Sequence, residues 1–394
     1  MRTLAVVTSA RSDYGICLPI LRRIQADPDL SLRLMVTGMH LSPEFGLTVR
    51  DIERDGFDIA DSVTMLVSSD TPEGIAKSMG LGILGFAQAF ARSQPDILLV
   101  VGDRFEMHAA ALAALPFKIP VAHVHGGELT QGAIDNALRF SITKLSHLHF
   151  TATEDYARRV IQTGEEPWRV TVSGAPSLDN LASTVRLTRE ELAQQFGLRF
   201  EDAPFLLVTF HPVTLEYERT EWQTAELLGA LEAVGLPVVF TMPNADTSGR
   251  TIARMIREFV ADHPYAQVID NLGTRGYFST MSLAAAMVGN SSSGIVEAAS
   301  FALPVVNVGT RQSGRTKAKN VIGVDYPRED IRRGIRQALA SEFRDALRGM
   351  VNPYGTGTAS ETIVEVLRRV PIDSRLLVKQ FHDLAGSSQK GGLA

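Results

Sequence analysis

ILLVVGDRFEMHAAALAALPFKIPVAHVHGGELTQGAIDNALRFSITKLSHLH, residues 97–149, sets a continuous apolar run, 97–101, and a second strand-like run, 120–124, broken only by His123, on either side of a small-residue segment. A short run of aliphatic residues with no polar alternation fits a strand buried on both faces, which occurs in parallel sheets covered by helices. Residues 108–115 supply a helix to cross between the two runs, and residues 137–147 return to helical spacing before a segment at 149–152 that is apolar enough for a strand. The stretch also holds Asp103, Glu106, Glu128, Asp135, His123, His125 and Arg139, more ionisable chemistry than a core requires.

The same rhythm extends in both directions. Residues 3–8, 32–37, 63–67 and 170–172 are predicted as strands, and residues 16–26, 71–93 and 155–162 as helices, with Pro72 suited to a first helical turn. After a polar region at 188–200 the alternation restarts, with strands at 205–210, 237–241, 266–269, 287–288 and 304–308. Helices are predicted at 220–234, 251–262, 277–286, 295–300, 329–339 and 359–369. Strands alternating with helices give an α/β protein built of two Rossmann-like, doubly wound parallel-sheet domains. The expected division is 1–175 for the first domain and 176–375 for the second. The last helices are expected to pack back on the first domain, and the small, glycine-rich end, 376–394, reads as a flexible tail.

A chain of 394 residues exceeds the usual single core, and 45% hydrophobic with 21% charged residues describes an ordinary globular protein. A net charge of −5 provides no general field for nucleic acid or an anionic membrane. The single cysteine, Cys17, lies between Ile16 and Leu18 and reads as a buried helix thiol. The short N-terminal apolar run and the lack of any long apolar window predict no signal peptide and no membrane span, hence a cytoplasmic protein.

In open parallel sheets ligands bind beyond the carboxyl ends of the strands. Polar clusters follow the predicted strands there: Arg11, Ser12 and Asp13; Asp103, Arg104 and Glu106; His123, His125 and Glu128; His211; Asn244 and Asp246; and 290–293. Asp103 alone could cap the following helix. His123 and His125, at i and i+2, would share one strand face. No recognisable metal signature accompanies them, so acid-base or hydrogen-bonding work is expected and no metal or cofactor. GNSSSGIVE, 289–297, places small hydroxyl residues at a predicted helix start, a way to bind an anion through N–H groups and the helix dipole. With neither a Walker lysine nor a GxGxxG after the first strand, the expected ligand is a diphosphate. Arg311 and Arg315 add positive charge, and Glu297 could accept from ribose hydroxyls.

Taken in order, RSDYG, GDRFE, HVHGGE, GAIDNALRFSITKLSHLHF, FHPVT, MPNAD, GNSSSGIVE and LPVVNVGTRQSGR resemble the hydrolysing UDP-N-acetylglucosamine 2-epimerase family, in its bacterial sialic and legionaminic acid branch. The resemblance runs from about residue 3 to about residue 365. It implies a GT-B fold, a UDP- or GDP-linked amino sugar in the cleft, and a homodimer or homotetramer. It also implies the chemistry: C2 loses a proton as the nucleoside diphosphate leaves C1, and water then adds to the resulting 2-acetamidoglycal with protonation from the opposite face. By motif, Asp103, Glu128 and Asp135 match acidic positions of the reaction centre, Arg139 a basic one, and His211 a histidine near the leaving phosphate. Arg11, Ser291, Ser292, Glu297 and Arg311 match nucleotide-binding positions.

One position departs from the pattern. Some members carry a glutamate directly before the glycine pair, and His125 stands there in this chain. Histidine moves protons near neutral pH, so the motif leaves both His125 and Glu128 as donors for the second face. A non-hydrolysing 2-epimerase and a GT-B glycosyltransferase remain as alternative readings, since a fold does not fix a reaction.

Overall fold

The protein is described by a computed structural model covering residues 1–384 except Ser68, Asp70, Gly132, residues 200–202 and residues 244–247. Asn244 and Asp246 therefore lie outside the described residues. Seven strands form the first sheet: β1 (Arg2–Thr8), β2 (Leu30–Thr37), β3 (Ile59–Val63), β4 (Ile97–Val101), β5 (Val121–Val124), β6 (Leu148–Thr151) and β7 (Val170–Val172). Six form the second: β8 (Leu206–Thr209), β9 (Val238–Thr241), β10 (Ala266–Ile269), β11 (Ala286–Gly289), β12 (Val305–Val308) and β13 (Val321–Val324). Spatial order is β3-β2-β1-β4-β5-β6-β7 in one and β10-β9-β8-β11-β12-β13 in the other, with every pairing parallel.

The aliphatic runs explain this architecture through their two faces. Leu4, Val6, Leu99 and Val101 pack into one apolar cluster, and their neighbours Ala5, Val7, Leu98 and Val100 into another on the opposite side of the sheet. Each fully buried Val or Leu contributes about 1.5–3 kcal/mol, so a strand such as β4 is held from both sides. Strand order reverses between β1 and β4 in the first sheet and between β8 and β11 in the second. The loops after those strands diverge there and open a crevice.

Two edge strands depart from expectation. β3 ends at Val63, where the sequence predicts that a strand begins, and β13 carries no predicted strand. Both are half-exposed edge strands, and Gly323 interrupts the apolar run of β13, so neither gives the signal of a buried run. The helix Ala359–Arg369 returns to the first sheet, placing Ile363 and Leu367 in its core beside Leu376. Within the segment expected as a flexible tail, residues 376–384 are tied down: buried Arg169 donates to the carbonyls of Leu376 (2.8 Å) and Val378 (3.2 Å), and Lys379 pairs with Glu165 at 2.7 Å. Residues 385–394 lie outside the described residues. Cys17 is buried in the first core, and burial pushes its thiol far above the usual range.

Candidate active site

At the carboxyl end of β4, Gly102 takes a left-handed turn and Asp103 follows it. Asp103 does not cap the next helix, whose N-cap is Arg104. Instead it accepts from the Arg139 guanidinium and, at 3.4 Å, from the Thr130 hydroxyl. Burial alone would raise its pKa, but Arg139, Arg315 and Arg311 together hold the carboxyl below its usual range. Arg139 reaches it from the helix Asp135–Leu145, and a second guanidinium nitrogen donates to the His125 carbonyl at 2.6 Å. Asp135 opens that helix one turn before Arg139, on the same side, and is half-buried.

The two histidines after β4 do different things. His123, inside β5, sets Nε2 2.7 Å from the Gly102 carbonyl and Nδ1 3.2 Å from the Thr143 hydroxyl, and burial lowers its pKa to about 3. It braces the β4 turn as a neutral ring. The expected shared strand face ends with the strand at Val124: His125 has φ +65°, a left-handed conformation disfavoured for a residue with a Cβ. Its Nδ1 lies 2.6 Å from Glu128 Oε1, and its buried Nε2 has no hydrogen-bond partner. The glycine pair makes the turn possible. Gly127 has φ +77°, and a Cβ there would stand 2.3 Å from the Tyr156 carbonyl oxygen.

Glu128 is fully buried, 2.8 Å from Arg315 and 3.9 Å from Arg139. Burial would raise its carboxyl, but Arg315, His125 and Arg139 overcome that and keep it ionised. Arg315 belongs to the loop after β12, so this pair joins the two sheets' loops. The sequence places Arg315 with Arg311 on the anion side; its guanidinium in fact rests on Glu128, with Nε 3.3 Å from the Leu129 carbonyl. Near β1, Arg104 grips Glu106 with two bonds (3.0 and 3.2 Å), and burial raises Asp13 to about 6 against the pull of Arg104.

On the other side, His211 follows β8, its backbone locked by Asn290 through bonds of 2.7 and 2.9 Å. Burial, then Arg311 and Arg104, lower its pKa well below the usual value, so it offers a hydrogen bond and no charge. Ser291 caps the helix Ser292–Val296 by accepting from the Ser293 N–H. That helix is shorter and starts earlier than predicted, which leaves little macrodipole to aid an anion. Ser292 is exposed, Arg311 reaches the Asn290 carbonyl at 3.3 Å, and burial raises Glu297 to about 7. Arg11, after β1, donates to the Asp270 carbonyl of the second half. Further bonds cross between the halves: the Ile134 N–H to Thr214 Oγ1 (2.9 Å) and the Thr316 N–H to the Tyr156 hydroxyl (2.9 Å).

The motif residues thus gather along facing strand ends, Asp103, His125, Glu128 and Arg139 on one wall, His211, Ser291 and Arg311 on the other. A match to the UDP-N-acetylglucosamine 2-epimerase family spans residues 22–368. The UDP-N,N'-diacetylbacillosamine 2-epimerase (hydrolyzing) of Legionella pneumophila is 38% identical, covering 96% of this chain and 99% of that protein. The GDP/UDP-N,N'-diacetylbacillosamine 2-epimerase (hydrolyzing) of Campylobacter jejuni is 36% identical over 97% of this chain and 99% of its own length. A UDP-N-acetylglucosamine 2-epimerase of Neisseria meningitidis serogroup B is 33% identical over 98% of this chain and 100% of its own. The crystal structure of a Neisseria meningitidis UDP-GlcNAc 2-epimerase bound to UDP-GlcNAc superposes with a TM-score of 0.80 at 20% identity, covering 94% of this chain and 100% of that one; it shares the GT-B-like fold. With near full-length identity above one third and the family's motifs lining one crevice, the chain belongs to the UDP-N-acetylglucosamine 2-epimerase family.

Proposed function

We propose that this enzyme is a hydrolysing 2-epimerase of a UDP-linked 2,4-diacetamido-2,4,6-trideoxy hexose, releasing UDP and the free 2-epimerised sugar. The C2–H and C1–O bonds break, a C1=C2 double bond forms, and the electron pair of the C1–O bond leaves with the diphosphate. Water then places its oxygen on C1 while C2 takes a proton on the opposite face. Asp103, His125 and Asp135 share the proton transfers, with Glu128 against His125 and Arg139 fixing Asp103. His211 and Arg311 stand toward the leaving diphosphate, and Arg11, Ser291, Ser292 and Glu297 toward the nucleoside.

The observation that carries this reading is the pairing of an acid-base wall with a cationic and hydroxyl wall, joined by Arg315 on Glu128. Neutral His211 suits the second wall, since an N–H donor aimed at developing charge stabilises it without a buried cation. Relatives at 38% and 36% identity that bear the diacetylbacillosamine name support the 4-acetamido substrate over plain UDP-N-acetylglucosamine. The free sugar would feed nonulosonate synthesis of the sialic and legionaminic type in the cytoplasm. Among the described residues no helix is long and apolar enough to cross a membrane. Leu81 and Leu84, 45% and 64% exposed on the helix Pro72–Arg92, support a homodimer or homotetramer.

The test is a panel of UDP-N-acetylglucosamine, UDP-diacetamido sugar and GDP-diacetamido sugar in deuterated water, reading nucleoside diphosphate and the sugar by proton NMR. Free sugar deuterated at C2 from the UDP-diacetamido substrate is expected. Return of an intact nucleotide sugar would establish the non-hydrolysing reaction instead, and demand for an acceptor a glycosyltransferase.

A further inference from the structure

Glu128 and His125 differ in what they can still do. Both carboxylate oxygens of Glu128 are engaged, Oε1 by His125 Nδ1 at 2.6 Å and Oε2 by Arg315 at 2.8 Å, with Arg139 at 3.9 Å. A buried carboxylate between two guanidinium groups is a permanent acceptor and a poor proton donor. Facing a permanent acceptor, the imidazole must carry its hydrogen on Nδ1, as second-shell carboxylates fix histidine tautomers elsewhere. Nε2 is then the working atom, and it is buried with no hydrogen-bond partner. The strained backbone of His125 is held by two bonds: its N–H donates to the Phe150 carbonyl at 2.9 Å, and its carbonyl accepts from Arg139 at 2.6 Å. That same Arg139 holds Asp103, which sets Nε2 and the Asp103 carboxylate as two proton-handling groups on one frame.

Arg315 is itself anchored across the halves. The adjacent Thr316 N–H donates to Tyr156, the Tyr354 hydroxyl donates to the Thr316 carbonyl at 2.8 Å, and the two tyrosine hydroxyls lie 2.8 Å apart. The clamp on Glu128 therefore exists only while the second half's loop is docked on the first.

We propose that Arg315, Glu128 and His125 form a relay in which Glu128 is a positioning residue and His125 Nε2 removes the C2 proton during elimination. The proton moves from C2 to Nε2, the C–H electron pair becomes the C1=C2 bond, and the diphosphate carries away the C1–O pair. The imidazolium returns its proton to solvent after product leaves. This rests on the epimerase reading and assigns the base within it.

The charged and titratable groups around the pair are Arg315, Arg139, Asp103, Glu297, Tyr354 and Tyr156. Removing Arg315 deletes a cation that opposes imidazolium, so the acidic limb of kcat/KM should move to higher pH in Arg315→Met. A merely structural loss would lower the rate equally at every pH. Glu128→Gln should lower kcat at least about a hundredfold with KM little changed, because an amide can donate to Nδ1 and place the hydrogen on Nε2, the wrong tautomer. Independently of any substrate, nitrogen-15 NMR of histidine-labelled protein, with His125→Gln assigning the signal, should show the Nδ1–H form in the native chain and the Nε2–H form in Glu128→Gln. An Nε2–H tautomer in the native protein overturns the relay even if the enzyme epimerises every sugar in the panel. An Nδ1–H tautomer without turnover of any nucleotide sugar upholds the relay's geometry and instead refutes the epimerase reading. Near-normal turnover of Glu128→Gln, or an unmoved acidic limb in Arg315→Met, also overturns the relay.

Discussion

Glu297→Gln should flatten part of the protein's pH–stability curve, by an amount that follows from the site. Glu297 is 8% exposed at the end of the short helix Ser292–Val296, and burial raises its carboxyl from 4.5 to about 7 against the lowering effect of Ser177 and Arg315. The folded state thus binds a proton that the unfolded chain has already released. Below about pH 4.5 both states are protonated and there is no cost; through 4.5 to 7 the cost grows; above 7 it is complete. Linkage gives a destabilisation of about 1 kcal/mol at pH 5 and about 3 kcal/mol at pH 8. Glutamine removes the ionisation and keeps the shape, so the variant's stability relative to the native chain should improve by about 2 kcal/mol between those pH values. Other shifted groups, such as Asp13 at about 6 and Glu165 at about 2, titrate in both proteins and cancel in the difference. Thermal unfolding of both proteins at half-unit pH intervals reads this as roughly 4–8 °C for a domain of about 200 residues. Parallel curves from pH 5 to 8 would show that Glu297 ionises freely and would refute the buried, protonated carboxyl.

Asp103→Asn keeps the contact with Thr130 and removes the charge facing Arg139; turnover should fall at least about a hundredfold while nucleotide affinity changes little. Near-normal turnover would remove Asp103 from the reaction. Arg311→Ala should weaken UDP binding before it affects the chemical step, and calorimetry giving an unchanged UDP affinity would contradict its proposed role at the leaving diphosphate. Gly127→Ala combines a left-handed φ of +77° with a Cβ 2.3 Å from a backbone oxygen, and should lower stability by about 1–3 kcal/mol or more. An unchanged melting temperature would mean that the turn relaxes without cost.

The central strands were legible because their residues are apolar on both faces, the pattern that a parallel sheet covered by helices produces; β1, β4 and β12 lie within a residue or two of where the runs predict them. β13 was not, since an edge strand with a glycine and half-exposed residues needs no continuous apolar run. At the site, spacing located Asp103, His125 and Glu128 at strand ends, but spacing could not show which charge neutralises which. Arg315 is the instructive case. It stands four residues after Arg311 in the same loop, yet it turns to the opposite wall, a consequence of the anchor on Thr316 made by Tyr354 and by Tyr156, the latter 160 residues away in sequence. The i, i+2 rule failed for His125 because the strand stops at Val124 and a left-handed residue redirects the chain.

Charge balance across the crevice explains why both walls are needed at once. On the first wall Asp103 and Glu128 are ionised, and Arg139 lies beside both. One guanidinium leaves this buried cluster one positive charge short, which the low dielectric of the interior makes costly. Arg315 supplies that charge from the second half, so docking of the loop after β12 is coupled to keeping Glu128 ionised. Arg311, four residues earlier on the same loop, lies where it lowers both Asp103 and His211. A diphosphate arriving beside Arg311 would compete with Asp103 for that cation and so make the Asp103 carboxylate more basic. Substrate binding by the second wall would then raise proton affinity on the first, tying the acid-base groups to an occupied site.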